Sequence, residues 1–167
     1  MRTASGFFAA AGLSVLITCT AAVAAEPITP QAFVHDAGVA GVYEIQAAGI
    51  AMSNATRDDI RAFATEMVKD HTAIAAALKA SAGSVAVPAT VDKAGQAKLD
   101  ALTAASGRAF DELYVDQQVA AHDGAVTLFS EFADTAPDGT LHDFAEKTLP
   151  VLKHHREMVD TLKAELK

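Results

Sequence analysis

The chain has 167 residues, of which 51% are hydrophobic and 20% charged, which supplies a packed core and excludes a disordered chain. Its length indicates one domain, and its abundant alanine favours helices over strands. With 13 Lys and Arg against 21 Asp and Glu, the net charge is −8. A protein that coats nucleic acid needs the opposite sign, so we expect no nucleic-acid partner.

The first predicted element is a secretory signal peptide at residues 1–25. Arg2 precedes a long apolar run that ends in small residues typical of a cleavage site. We therefore expect a periplasmic or secreted protein in which residues 26–167 form a single domain with no stable membrane span after cleavage. Cys19 is the only cysteine, and it leaves an alternative open, a lipoprotein anchored at Cys19.

The mature chain begins with two predicted helices. Thr29 followed by proline is typical of a helix start, because proline is well tolerated at the first helical position. Apolar and small residues at steps of three and four predict that this helix continues to about Ser53 and that a second one ends near residue 81. Thr56 with Asp59 resembles a capping box at the start of the second helix.

A long connection at residues 82–107 follows, with a short helix predicted at about 92–105. Two further long helices are separated by a turn at residues 136–139. Pro150 lies inside the last helix, and the heptad register continues across it, which predicts one kinked helix. Because the long connection can cross the bundle, we predict an all-α, ferritin-like four-helix bundle with one short extra helix; an up-down bundle is the alternative.

Three histidines lie on the predicted apolar faces, each near the middle of its helix. They are His71 in the second helix and His122 and His155 in the last two long helices. Across the last hairpin, His122 and His155 differ in level by only about 4.5 Å, so they can converge. Glu44 lies on the small-residue face of the first helix, and buried ionisable groups of this kind need a partner or lose their charge.

These residues suggest a metal site formed by His71, His122, His155 and Glu44. Imidazoles and a carboxylate suit a transition metal such as zinc, copper, nickel or iron. The alternative is that the histidines are structural and pair with polar neighbours. The residues that could orient the ligands, or pair with them instead, are Asp70, Asp111, Tyr114 and Gln118.

Motifs for several other chemistries are absent from the sequence. It contains no Glu-x-x-His motif of di-iron bundles, no haem-attachment motif, no phosphate-binding glycine loop and no Gly-x-Ser-x-Gly. This favours a non-enzymatic role without deciding it. The alternative function is a non-catalytic envelope or stress-related bundle that binds another macromolecule and no metal, which an exposed apolar patch would favour. The protein partner and any homo-oligomer are left open.

The ordered motifs over residues 33–163 resemble a bacterial family, the domain of unknown function 4142 (DUF4142). The resemblance implies an exported, ferritin-like four-helix bundle and selects the same three histidines, and it implies no established activity. The matching residues are Phe33-Val34, Glu44, Phe63-Ala64, Met67, Asp70-His71-Thr72, Gly107, Phe110-Asp111, Tyr114-Val115, Gln118, His122, Leu149-Pro150, Leu152 and His155.

Overall fold

The computed structural model describes residues 27–166, in which the chain forms five helices and no strands. This confirms the predicted all-α bundle with one short extra helix in the long connection. The signal peptide predicted at residues 1–25, with Cys19, lies outside the described part of the chain. The helices are α1 (Pro30–Asn54), α2 (Asp58–Ser81), α3 (Lys93–Ala104), α4 (Gly107–Thr135) and α5 (Thr140–Glu165).

The helix boundaries follow local signals at most positions. Thr29 caps α1, where its hydroxyl oxygen accepts a hydrogen bond from the backbone of Ala32 at 3.2 Å. Asp92 caps α3 in the same way, accepting from the backbone of Gly95 at 2.6 Å. Helix α5 continues through Pro150 as a single helix, as predicted. No helix between residues 27 and 166 has both the length and the apolar character needed to cross a bilayer.

The start of α2 differs from the predicted capping box. The cap position is occupied by Arg57, which makes no side-chain capping bond and instead pairs with Asp59. Thr56 turns away from α2, and both its backbone N–H, at 2.9 Å, and its hydroxyl donate to the Asp111 carboxylate. The buried Asp111 carboxylate on α4 therefore takes the backbone N–H that the capping box assigned to Asp59, and the Thr56 hydroxyl donates to Asp111 instead of accepting from α2. These bonds tie the first hairpin to α4.

The two hairpins pack side by side, with α1 against α4 and α2 against α5. Thr56 lies beside Asp111, and Arg57 forms a salt bridge of 3.0 Å with Glu165. The end of α1 therefore adjoins the start of α4, and α2 and α4 run in the same direction. The connection at residues 82–106 crosses the length of the bundle, which matches the predicted crossover and not the up-down alternative. A specific likeness to ferritins stays a prediction.

The core consists of two apolar clusters with a polar layer between them. One cluster, at the end where α2 and α4 begin, includes Phe63 and Phe110. The other includes Phe33 and Phe132, whose rings stack with centroids 3.9 Å apart. Between them lie buried polar side chains from the middles of the four long helices, which are Glu44, His71, Gln118, His122 and His155.

Three glycines inside the long helices allow a stability test of the packing. A Cβ at Gly38 would lie 2.7 Å from Cδ of Pro88 in the long connection, whereas one at Gly49 or Gly124 would meet no atom within 4 Å. We expect Gly49→Ala and Gly124→Ala each to raise the free energy of unfolding by about 0.5–1 kcal/mol, because alanine is the better helix former. We expect Gly38→Ala to lower it by about 1–3 kcal/mol through overpacking. Urea denaturation measures all three, and equal effects would contradict the packing of the connection on α1.

Candidate metal centre

Three helices each contribute one histidine to the polar layer. His71 comes from α2, His122 from α4 and His155 from α5, and at most 4% of any of them is exposed. Their ring centroids are 5.5 to 5.7 Å apart, and one ring nitrogen of each lies within 4.8 Å of the other two. The structure therefore brings together the three histidines that the sequence singles out.

Helical periodicity brings each histidine to the centre of the bundle. His71 lies one turn after the buried Met67 on α2, and His155 lies between Leu152 and Val159 on the buried face of α5. Residues three or four apart share one face of a helix, so packing of these apolar neighbours carries the imidazoles inwards. The same residues that drive helix association thus position the candidate ligands.

Hydrogen bonds fix which nitrogen of two of the histidines carries the proton. Nδ1 of His122 donates to the carbonyl oxygen of Gln118 at 3.0 Å, and Nε2 of His155 donates to the Asp70 carboxylate at 3.2 Å. Both partners accept only, so the opposite nitrogens, Nε2 of His122 and Nδ1 of His155, keep their lone pairs in the neutral rings. Those two nitrogens are buried and have no hydrogen-bond partner. This is the orientation that metal-binding histidines take from their neighbours.

His71 is buried without a hydrogen bond at either ring nitrogen. A buried polar group left unsatisfied costs about 1–3 kcal/mol, so the arrangement is unfavourable for a purely structural side chain. A cation between the three rings would satisfy one nitrogen of each. His71 is thus the residue that most clearly separates a binding role from a structural one.

The protonation of the cluster also suits a cation. Burial, together with the neighbouring His122 and His155, lowers the pKa of His71 from 6.5 to about 3. Burial lowers the pKa of His122 to about 4, although its bond to the Gln118 carbonyl acts in the opposite direction. Burial also lowers the pKa of His155 against the opposing effect of Asp70. All three imidazoles are neutral at pH 7, with lone pairs free to bind a metal ion.

Glu44 lies in the same layer but outside the cluster of ligand atoms. Its side chain is buried, and Gln118 Nε2 donates to its Oε2 at 2.7 Å. Burial raises the pKa of Glu44 from 4.5 to about 8, with Gln118 opposing the shift. With His71 and His122 it lines a cavity of about 30 Å³, but its oxygens are not among the atoms within 4.8 Å of one another. Glu44 therefore lies beside the histidines, but its oxygens are outside the group of converging ring nitrogens.

Two other residues that the sequence selected lie away from the histidine cluster. Asp111 binds Thr56 at the end of the bundle. Tyr114 packs among aromatic rings, 6.3 Å from Phe63 and 6.2 Å from Phe110 by ring centroids, and its hydroxyl has no hydrogen-bond partner. Asp111 therefore joins two hairpins, and Tyr114 belongs to an apolar cluster.

One carboxylate beside the cluster was not among the selected residues. Glu66 lies one turn before Asp70 on α2, and an oxygen of each lies within 4.8 Å of a ring nitrogen of His155. The spacing of four puts both acids on one face of α2, which is a signal visible in the sequence. The packing of that face against α5 is not visible there, because the two helices belong to different hairpins.

The surface bears on the alternative function, a bundle that works by binding a macromolecule. Among the large hydrophobic side chains of residues 27–166, only Met52 is exposed, at 42%. A single side chain is far smaller than the contiguous apolar patches that mark interaction sites. The described surface therefore offers no observation that favours this alternative.

The comparisons with known proteins agree with the motifs. A family model described as "Domain of unknown function (DUF4142)" matches residues 18–162, which is most of the chain and includes His71, His122 and His155. The comparisons with curated proteins and with solved structures give no match.

Proposed function

We propose that this chain, which belongs to the DUF4142 family, binds a transition-metal ion between His71, His122 and His155. The observation that carries the proposal is the convergence of three buried, neutral imidazoles, each of which has at least one ring nitrogen without a hydrogen-bond partner. Imidazole is a preferred ligand of zinc, copper, nickel and iron, and three histidines leave a further position for water or a small ligand.

The dimensions of the cluster support this role. A tetrahedral ion with metal–nitrogen bonds of about 2.1 Å holds its nitrogen ligands about 3.4 Å apart. The ring nitrogens here lie within 4.8 Å of one another, so modest rotation of the side chains would bring them to bonding distance. The adjoining cavity of about 30 Å³ leaves room for the ion or for a water ligand.

The neighbouring carboxyl groups support it as well. Asp70 accepts a hydrogen bond from His155, and a carboxylate in this position makes an imidazole a stronger ligand. Glu44, buried beside His71 and His122, would become ionised near a divalent cation and offset part of its charge. The proposed role is metal binding in the periplasm, to which the predicted signal peptide would direct the chain, and it includes no catalytic step.

Elemental analysis and Co²⁺ titration test the proposal. Protein purified from the periplasm without a His tag is expected to carry a transition metal, and the metal-free form to take up one Co²⁺ per chain with visible absorption typical of nitrogen ligation. We expect His155→Gln to abolish this absorption, and Asp70→Asn to weaken binding about 10–100-fold. The matched control is His154→Gln, which alters the exposed neighbouring histidine and should bind as the unaltered protein does. Equal binding by the two glutamine variants would contradict the proposal.

A further inference from the structure

Two cavities meet at Glu44. The outer one, of about 250 Å³, opens to solvent between α1, α3 and α4, and it is lined by Tyr43, Asp92 and Lys98 among others. The inner one, of about 30 Å³, lies among the four long helices and is lined by His71 and His122. Glu44 lines both cavities, and so do two small residues, Ala40 and Ala121. The cavities are therefore neighbours, and they share a wall made of one carboxyl group and two methyl groups.

We propose that metal ions reach the three histidines through these two cavities, and that Glu44 is the carboxylate that passes an ion from the outer cavity to the inner one. This inference rests on the proposed metal-binding function. The inference adds an entry route to that function. It also gives Glu44 a transient contact with the ion, because the oxygens of Glu44 are not among the converging ligand atoms.

The position of Glu44 carries the inference. Its side chain is buried, makes no salt bridge with any residue between 27 and 166, and is held by Gln118 Nε2 at 2.7 Å. Burial makes its ionised form costly, an effect opposed by the hydrogen bond from Gln118 and by the charge of Lys98. A divalent cation in contact with the carboxylate would offset that cost. Beyond Glu44, the inner cavity is lined by His71 and His122, which both have buried ring nitrogens without a hydrogen-bond partner. An ion at Glu44 therefore has oxygen ligands on one side and free imidazole nitrogens on the other.

The route is lined by small side chains, and its outer cavity has more acidic than basic residues. The inner wall on α1 includes Gly41, where even an added Cβ would meet no atom within 4 Å. The outer cavity is also lined by Asp36 and Asp92, against Lys98 and His35. An excess of acidic groups around a cleft attracts cations.

The opposite side of the cluster is closed by a hydrogen bond. There the Asp70 carboxylate covers Nε2 of His155 at 3.2 Å, and an ion approaching from α2 and α5 would have to break this contact. Entry between α2 and α5, past Asp70, is the competing route. The two routes are distinguished by whether substitutions near Glu44 or substitution of Asp70 slows metal binding.

Stopped-flow measurement of Co²⁺ binding to the metal-free full domain tests the route. We expect Ala121→Leu, which places bulk in the shared wall, to slow both association and dissociation by about tenfold or more while the dissociation constant stays nearly unchanged. A barrier on a route changes both rates together, whereas a damaged site changes the equilibrium. We expect Glu44→Gln, which keeps the size of the side chain and an acceptor for Gln118, to slow association as well.

The matched control is Ala133→Leu, the same substitution at a half-buried position further along α4 that lines neither cavity. It should leave both rates unchanged. Rates unaltered by Ala121→Leu and Glu44→Gln, in a protein that binds Co²⁺, would overturn the route, as would slowing only on substitution of Asp70. Absence of Co²⁺ binding by the unaltered protein would instead contradict the metal-binding function itself.

Discussion

Acidification of the metal-free Glu44→Gln variant from pH 8 to pH 5 is expected to lower its free energy of unfolding by about 4 kcal/mol. The pKa values of His71 and His122 are near 3 and 4 in the folded protein, against 6.5 in the unfolded chain. Each histidine contributes stability that is fully present above pH 6.5 and is lost as the pH falls toward its folded pKa. At pH 5 each has lost about 2 kcal/mol, at 1.36 kcal/mol per pH unit.

The unaltered protein is expected to show a much flatter pH profile. Burial raises the pKa of Glu44 from 4.5 to about 8, so its contribution to stability is present below pH 4.5 and is lost as the pH rises toward 8. Acidification from pH 8 to pH 5 therefore restores roughly 3–4 kcal/mol through Glu44, which nearly balances the loss through the two histidines. The effects of Glu44 and of the two histidines on the free energy of unfolding therefore nearly cancel. The pH dependence due to the histidines becomes visible only when Glu44 is replaced.

Urea denaturation at pH 8, 7, 6 and 5 in the presence of a chelator measures both profiles. The control is the double variant Glu44→Gln, His122→Gln, which should lose about half of the dependence seen in the single variant. A Glu44→Gln variant that becomes more stable toward pH 5 would contradict the neutral cluster. It would indicate that the histidines are charged and paired with Asp70 and other acids.

The substitution His71→Leu is expected to raise the free energy of unfolding of the metal-free protein by about 1–3 kcal/mol. Both ring nitrogens of His71 are buried without a partner, and leucine has a similar volume with no polar atom to satisfy. A residue whose replacement stabilises the fold is one that the fold does not need, so its presence points to a function. Thermal unfolding at pH 8, where the imidazole is neutral, measures the change.

The same variant should respond differently to metal. Zn²⁺ at about 1,000 times its dissociation constant should stabilise the unaltered protein by about 4 kcal/mol, and His71→Leu should show almost none of this effect. His155→Leu is the comparison, because it removes the hydrogen bond to Asp70 and should stabilise the metal-free protein less or not at all. Destabilisation by His71→Leu would mark the histidines as structural.

The spacing of residues along the chain was sufficient to predict the helices and the core histidines. Apolar residues recurring at steps of three and four located the four long helices and put His71, His122 and His155 on buried faces. The levels within one hairpin follow from its turn, which is why His122 and His155 were expected to converge. Each of these inferences uses only residues that are close in the chain or joined by a short turn.

Relations between the hairpins were not predictable from the sequence. Gln118 was named as a residue that could orient the candidate ligands or pair with them, but the sequence did not show that Gln118, on α4, donates to Glu44 on α1. Thr56 was expected to cap α2, but it binds Asp111, also on α4. Both partners depend on how far one hairpin slides along the other, and that offset is set by packing over the whole interface and by the length of the crossing connection. No local pattern contains it.

The polar layer that separates the two apolar clusters has a consequence for cooperativity. Apolar contacts are the main coupling between the ends of a helical bundle. Here the five buried side chains of the polar layer interrupt them midway along the bundle. Local opening of one end should then need little disruption of the other, and we expect the metal-free bundle to open in two partly independent units. An ion bound in the polar layer would join α2, α4 and α5 there, and the two ends of the bundle would then open together.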